Sequence, residues 1–206
     1  MRLFSRNDNL RMEINMKKFL IVLIILLLPG VSLSFAQPNR DTKRFFFAAG
    51  INTLATADSN FKDIYGSPHA YPGIRAGFFF YKNFYIWGGC GFLSGHGEID
   101  IYGTKVEAKT NQRLISFGPG YSGSLTGKLN YRIETGGVYF RYEEEAMAED
   151  VSASSYGFTV NFGISYMFNK LFYTEISAGY MTGVAELARK IKLGGVTAGI
   201  GFGIRF

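Results

Sequence analysis

In the stretch "SGHGE", Ser94, His96 and Glu98 recur at every second position. A hydroxyl, an imidazole and a carboxylate are the groups that nucleophilic hydrolysis needs: one attacks, one takes its proton and one orients the base. On a strand, residues at i, i+2 and i+4 share a face. Such a row is spread over about 13 Å, too long for the three groups to converge. Gly95 and Gly97 between them suggest a bend. The stretch is therefore read as structural, and no catalytic residue is expected. His69, in "GSPHAYPG", is read as a surface loop residue. Two distant histidines and the single cysteine, Cys90, make neither a metal site nor a disulfide framework. No cofactor is expected.

A second set of reactive groups is Arg75, Arg132, Glu134, Glu175 and Arg205. Each falls on the non-apolar face of an alternating segment. Both signs are present, as buried charges require. The set reads as a polar network filling an interior, with a proton or ion path as the sharper reading. Either role depends on the elements that hold these groups.

Those elements alternate with period two. In "GGVTAGIGFGIRF", Val196, Ala198, Ile200, Phe202, Ile204 and Phe206 share one face. Thr197, Gly199, Gly201, Gly203 and Arg205 share the other. "YGFTVNFGISYMF" divides in the same way, with Tyr156, Phe158, Val160, Phe162, Ile164, Tyr166 and Phe168 on its apolar face. Six further strands are expected at 44–54, 73–82, 84–93, 112–121, 129–142 and 171–183. The facing of 84–93 is ambiguous, and Gly136-Gly137 reads as a bulge that shifts the phase of its strand. The connections 82–83, 122–127 and 169–170 are short. Residues 55–72 (with Phe61), 95–110, 143–155 and 184–194 are longer. Within 95–110, "HGEIDIYGTKVEAKT" reads as a hairpin rising above a membrane, its edge open to another chain.

A face of Gly, Ser, Thr and Asn is a poor solvated surface but suits the narrow interior of an eight-stranded barrel. The apolar face then meets lipid, and closure satisfies the backbone. The expected fold is all-β: an eight-stranded antiparallel up-and-down transmembrane barrel over 44–206. Short turns and both ends lie on the periplasmic side. Aromatic clusters at Phe78–Tyr81, Phe84–Tyr85, Tyr166–Phe168 and Phe172–Tyr173 read as an interfacial girdle.

The N-terminal region agrees with this destination. Lys17 and Lys18 precede ten apolar residues, Phe19 to Leu28, and Ser34-Phe35-Ala36 has the small residues of a cleavage site. Ten helical residues rise about 15 Å, half of a hydrocarbon core, so a cleaved signal peptide is preferred to an anchor. Residues 1–36 are read as an upstream extension plus signal peptide with initiation at Met16, and 37–43 as a short periplasmic segment. Losing 1–36 removes five of 22 basic and two of 16 acidic residues and leaves a net charge of +3. The basic excess is therefore partly the leader's, and no nucleic-acid partner is expected.

The leader, the strand–turn rhythm and the terminal Ile204-Arg205-Phe206 resemble the OmpA/OmpX-type eight-stranded outer-membrane barrels. In detail the chain is similar to the small barrel domains of Bacteroidota, including PorT-like porin-family proteins. The resemblance implies location in the bacterial outer membrane among its lipids and lipopolysaccharide. It also implies that Phe202, Ile204 and Phe206 form a signal read by the barrel-assembly machinery. Only Gln37 to Lys43 precede the first strand and nothing follows the last, so a wall-anchoring role is not expected. The expected function is non-enzymatic, in envelope integrity or surface interaction, with a surface or periplasmic protein as partner. The alternatives are a PorT-like component of a secretion or envelope complex and a small pore. A lipid A-modifying enzyme ranks last: lipid A deacylases are barrels with a Ser/His/Glu arrangement, but Ser94 cannot reach Glu98 along one strand. In the longer loops, "EEEAMAED" (143–150) is acidic and could hold a divalent cation. "ARKIKL" (188–193) is basic and could meet lipopolysaccharide phosphates or its acidic neighbour.

Overall fold

The computed structural model describes residues 44–101, 104–146, 149–186 and 190–206. The expected leader and the 37–43 segment lie outside them. Eight strands close into one antiparallel barrel in chain order, with β8 paired to β1. The strands are β1 (Phe45–Thr56), β2 (His69–Tyr81), β3 (Phe84–Ile101), β4 (Thr104–Ser124), β5 (Leu129–Ala146), β6 (Glu149–Met167), β7 (Phe172–Glu186) and β8 (Lys190–Arg205). One short helix, α1 (Ser59–Tyr65), stands between β1 and β2.

The expected strand ranges, such as 112–121 and 156–168, cover only the membrane part. β4 runs for 21 residues and β6 for 19. Most of the segments read as the loops 95–110, 143–155 and 184–194 are strand, because their alternation continues past the lipid belt. The hairpin expected from "HGEIDIYGTKVEAKT" is present, with Ile99 opposite Val106. Its expected tip, Tyr102-Gly103, lies outside the described residues.

Two further expectations are corrected. Gly136-Gly137 is not a bulge: β5 keeps one register against β6 from Leu129–Tyr166 to Ala146–Glu149. Gly136 instead permits a close approach, since a Cβ there would collide with the Phe117 carbonyl of β4. The aromatic runs also divide between faces, because adjacent residues on a strand point oppositely. Phe78, Phe80, Phe84, Tyr166 and Phe172 face outward, whereas Tyr85 and Tyr173 are buried and Phe79 packs with the interior ring set. The ambiguous β3 is settled by the same alternation. Tyr85, Trp87, Gly91 and Leu93 point inward, and Phe84, Ile86 and Phe92 point outward.

The outer apolar belt on β5 runs from Leu129 to Tyr139 and gives way to Arg141. Ten residue steps at about 3.4 Å and a tilt near 40° make it about 26 Å tall, one bilayer core. The interior holds two apolar clusters. Phe46, Tyr85 and Trp87, with Phe79 against them, fill the short-turn end. Leu93, Leu114, Val138, Phe140, Tyr142 and Leu193 are among those filling the other half, under α1.

Candidate functional site

Between the two apolar clusters lies a charged layer. Arg75 on β2, Arg132 and Glu134 on β5 and Glu175 on β7 point inward from three sides of the barrel. Arg75 Nη1 and Arg132 Nη1 each donate to Glu134, one to each carboxylate oxygen. Arg75 Nη2 donates to Glu175 Oε2 at 2.7 Å, and Arg132 Nη2 to Glu175 Oε1 at 3.3 Å. The Tyr85 hydroxyl donates to Glu134 Oε1 at 2.8 Å. Glu134 is 1% exposed, so this carboxylate depends wholly on its three donors.

The sequence therefore placed four of its five interior charges together. Arg205 lines the short-turn end of the lumen below them, with its guanidinium 4.2 Å over the Phe79 ring. Tyr85 was missed, because the facing of its strand was ambiguous. The cluster separates an interior cavity of about 110 Å³, also lined by Asn52, Thr159, Asn161 and Ser177, from one of about 40 Å³ toward the short turns. Arg75, Arg132 and Glu175 line both cavities, so the charged layer is a partition across the lumen. Its charges are matched two against two, which leaves no unpaired acid or base poised for proton transfer.

Above the partition, α1 is seated inside the barrel. Asp58 caps it, accepting from Phe61 N at 3.0 Å, and its other oxygen accepts from Lys192 N of β8 at 3.1 Å. Phe61 and Tyr65, one turn apart, are buried in the upper cluster. Phe61 is thus a core residue and not the loop residue its position suggested. The Tyr65 hydroxyl donates to Glu144 Oε1 at 2.6 Å, and Tyr142 donates to the other oxygen. Burial first, and then Glu144, push the Tyr65 phenol above its ordinary range. His69 bonds the Gly66 carbonyl through Nε2 at 2.9 Å and packs edge-on against Phe61, so it supports this seat.

The seat explains "SGHGE". Ser94, His96 and Glu98 all stand exposed on the outer wall of β3. Gly95 and Gly97 face inward beneath α1 and its loop. A Cβ at Gly97 would collide with the Ile64 carbonyl, and one at Gly95 would crowd Thr110 and His69. The glycines make room for the helix, and the polar residues between them are the solvated side of the same strand. The α1 signal was present in the sequence as an Asp cap followed by Phe61 and Tyr65 at helical spacing.

The acidic stretch contributes Glu143, paired with Arg141 at 2.8 Å, and Glu144, held by the two tyrosines. Among the described residues no group of three metal-ligating side chains gathers. Phe202 and Phe206 lie on the outer face near the β8–β1 seam. There the Phe45 and Phe206 backbones exchange two hydrogen bonds of 2.8 and 2.9 Å. Phe206 stacks on Phe45 and Phe202 on Phe172.

No family model and no curated protein matches the sequence. Solved structures do. The outer membrane protein OprG from Pseudomonas aeruginosa superposes with a TM-score of 0.59 at 15% identity, over 80% of this chain and 96% of OprG. Ail, the attachment invasion locus protein of Yersinia pestis, solved in complex with the heparin analogue sucrose octasulfate, gives 0.54 at 13% identity, over 80% of this chain and 99% of Ail. Neisserial surface protein A gives 0.53 at 15% identity, over 78% of this chain and 95% of its own. These likenesses concern the fold and lend no support to the finer resemblance to PorT-like proteins. With this closed topology and an outward-facing apolar belt one bilayer tall, the chain has the fold of the eight-stranded outer-membrane β-barrels.

Proposed function

We propose that the protein is a non-enzymatic outer-membrane barrel whose upper half is a rigid platform for interactions at the cell exterior. The observation that carries this reading is the reversal of patterning above the belt. There the outer wall is polar, with Ser94, His96, Glu98, Glu107 and Lys109, and the inside is an apolar core sealed by α1. Such a core fixes the shape of a structure standing in water. A pore is disfavoured by the ion-paired partition, and hydrolysis by the spread of Ser94, His96 and Glu98 along one outer wall.

The platform has two unpaired strand margins among the described residues. β3 pairs with β2 only up to Gly91, and β6 pairs with β7 only from Gly157 downward. A strand of a partner protein fits such an edge through main-chain hydrogen bonds. For assembly, Phe202, Ile204 and Phe206 are read as the segment that the barrel-assembly machinery engages.

The test uses intact cells and a membrane-impermeant maleimide. A Glu98→Cys protein is labelled, whereas wild type, with Cys90 in the lipid belt, is not. Lipid A acylation is the same in cells making wild type, Ser94→Ala or His96→Ala. Failure of Glu98→Cys to label removes the exterior platform. An acyl chain missing only with wild type makes the protein an enzyme. For the assembly role, Phe206→Ala lowers the yield of inserted barrel far more than Tyr156→Ala, a substitution of an equally lipid-facing aromatic. Equal yields overturn it.

A further inference from the structure

At the upper margin of the lipid belt, two arginines stand opposite each other on the outer wall. Arg113 of β4 is the register partner of Arg141 of β5. Like charges directly across an antiparallel pair repel and destabilise it. Arg141 has one partial remedy: its Nε donates to Glu143 Oε1 at 2.8 Å. Arg113 has no ion pair among the described residues, and both arginines are exposed.

Their neighbours define a level in the membrane. One pleat below lie Ile115 and Tyr139. Tyr139 packs at 5.3 Å against Tyr156, which is 83% exposed and marks the upper aromatic girdle. Phe92 flanks Arg113 on β3, and Ser154 flanks Arg141 on β6. Asn111 stands one pleat above Arg113 on the same face. The pair is thus about 7 Å along the strand from the tyrosine girdle. That is where the headgroups of the outer leaflet begin, and long arginine stems lie along apolar surface while their heads reach that layer.

We infer that Arg113 and Arg141 form a binding site for a phosphomonoester on an outer-leaflet lipid, with the Ser154 hydroxyl and Asn111 amide as further donors. A dianionic phosphate between two guanidiniums takes paired hydrogen bonds from each and removes their repulsion. The girdle aromatics receive the acyl chains of the same lipid, which is why the occupant is a lipid and not free phosphate. The inference rests on the reading that this end of the barrel stands at the outer leaflet.

The experiment is native mass spectrometry of the full-length protein released from detergent micelles. The micelles are doped with dioleoyl phosphatidic acid, dioleoyl phosphatidylcholine or inorganic phosphate. Wild type retains one phosphatidic acid at least tenfold more than phosphatidylcholine, and a thousandfold excess of inorganic phosphate does not displace it. The double variant Arg113→Gln, Arg141→Gln loses that preference to within twofold. Lys62→Gln, which removes a cation elsewhere, keeps it. Unchanged gel mobility of the unheated double variant shows that it is folded, and the single variants give intermediate retention. Equal retention by wild type and double variant overturns the site. Displacement by inorganic phosphate overturns the lipid as its occupant. Micelles have no leaflets, so this result is independent of the cell-labelling test of orientation.

Discussion

The two halves of this barrel are built from the same eight strands with opposite chemistry. β4 shows the switch. Its outer face reads Glu107, Lys109, Asn111 and Arg113, then Ile115, Phe117, Pro119 and Tyr121. Its inner face reads Ala108, Thr110, Gln112 and Leu114, then Ser116, Gly118 and Gly120. Backbone and pleat do not change at Arg113; the solvent does. Above it, water drives apolar side chains inward. Below it, lipid is as apolar as leucine, so burying leucine inside gains little, and cohesion comes from packing and polar contacts. The upper half is accordingly cored by Leu93, Leu114 and Phe140, and the lower by an ion-pair layer with the Phe46, Tyr85 and Trp87 rings beneath it.

The largest test removes the core of the lower half. Glu134→Ala leaves Arg75 and Arg132 with Glu175 alone. Breaking a buried ion pair by losing one partner costs about 3–5 kcal/mol. Urea unfolding in lipid vesicles is expected to show a loss of that size. A loss below about 1 kcal/mol would mean that the layer does not hold the lower half together. The same layer closes the wild-type lumen, so planar bilayers are expected to show no stable large conductance steps.

A second test moves one charge along a single strand. Phe162 lies on the lipid face of β6, midway between Tyr156 and Phe168 just past the strand's end, and Ser152 lies on the same face in the upper half. Phe162→Arg is expected to cost about 2–4 kcal/mol, the range for a cation at the bilayer midplane. Ser152→Arg, an exposed change in water, is expected to stay within about 0.5 kcal/mol. Equal costs in vesicle unfolding would erase the boundary between the halves.

The lower half was the more legible in the sequence. Its rule is a single alternation, and strands such as 156–168 and 196–206 follow it without interruption. Four of the interior charges could be placed from it, because a charge on the non-apolar face of a membrane strand has nowhere else to go. Apart from the hairpin of "HGEIDIYGTKVEAKT", the upper half reads as loops in the sequence because its alternation carries the opposite sign. Phe140 and Leu93, scored against a lipid-facing rule, look out of phase. The apparent bulge at Gly136-Gly137 has the same origin: Tyr131 and Ile133 face lipid, Val138 and Phe140 face the core, and no register shift separates them. Tyr85 was hidden for a related reason, since β3 carries aromatics on both faces.

The seat of α1 gives a smaller, local test. Gly97→Val puts a branched side chain where the Ile64 carbonyl lies. Overpacking of this kind costs about 1–3 kcal/mol. The effect is expected in the upper half alone: faster hydrogen exchange in residues 57–68, with unchanged exchange in β7 between Phe172 and Tyr180. Unchanged exchange in 57–68 would show that the helix does not depend on a glycine seat.

The smallest effect concerns the hydroxyl that ties α1 to β5. Tyr65→Phe removes the donor to Glu144 Oε1 but leaves Tyr142 on the other oxygen, so the carboxylate keeps a partner. The expected loss is about 1 kcal/mol. Its pH dependence identifies the group. Burial and Glu144 hold the folded phenol above its ordinary range, whereas in the unfolded chain Tyr65 ionises near pH 10. Folding therefore favours the protonated form. The hydroxyl's contribution is complete below about pH 10 and declines as the pH rises beyond it, because the unfolded chain releases its proton first. Unfolding of wild type and Tyr65→Phe in vesicles is expected to differ by the full amount at pH 8 and by progressively less toward pH 11. The remaining tyrosines are common to both proteins and cancel in the difference. A gap that stays constant to pH 11 would show that the phenol proton is not what fastens the helix to the upper barrel.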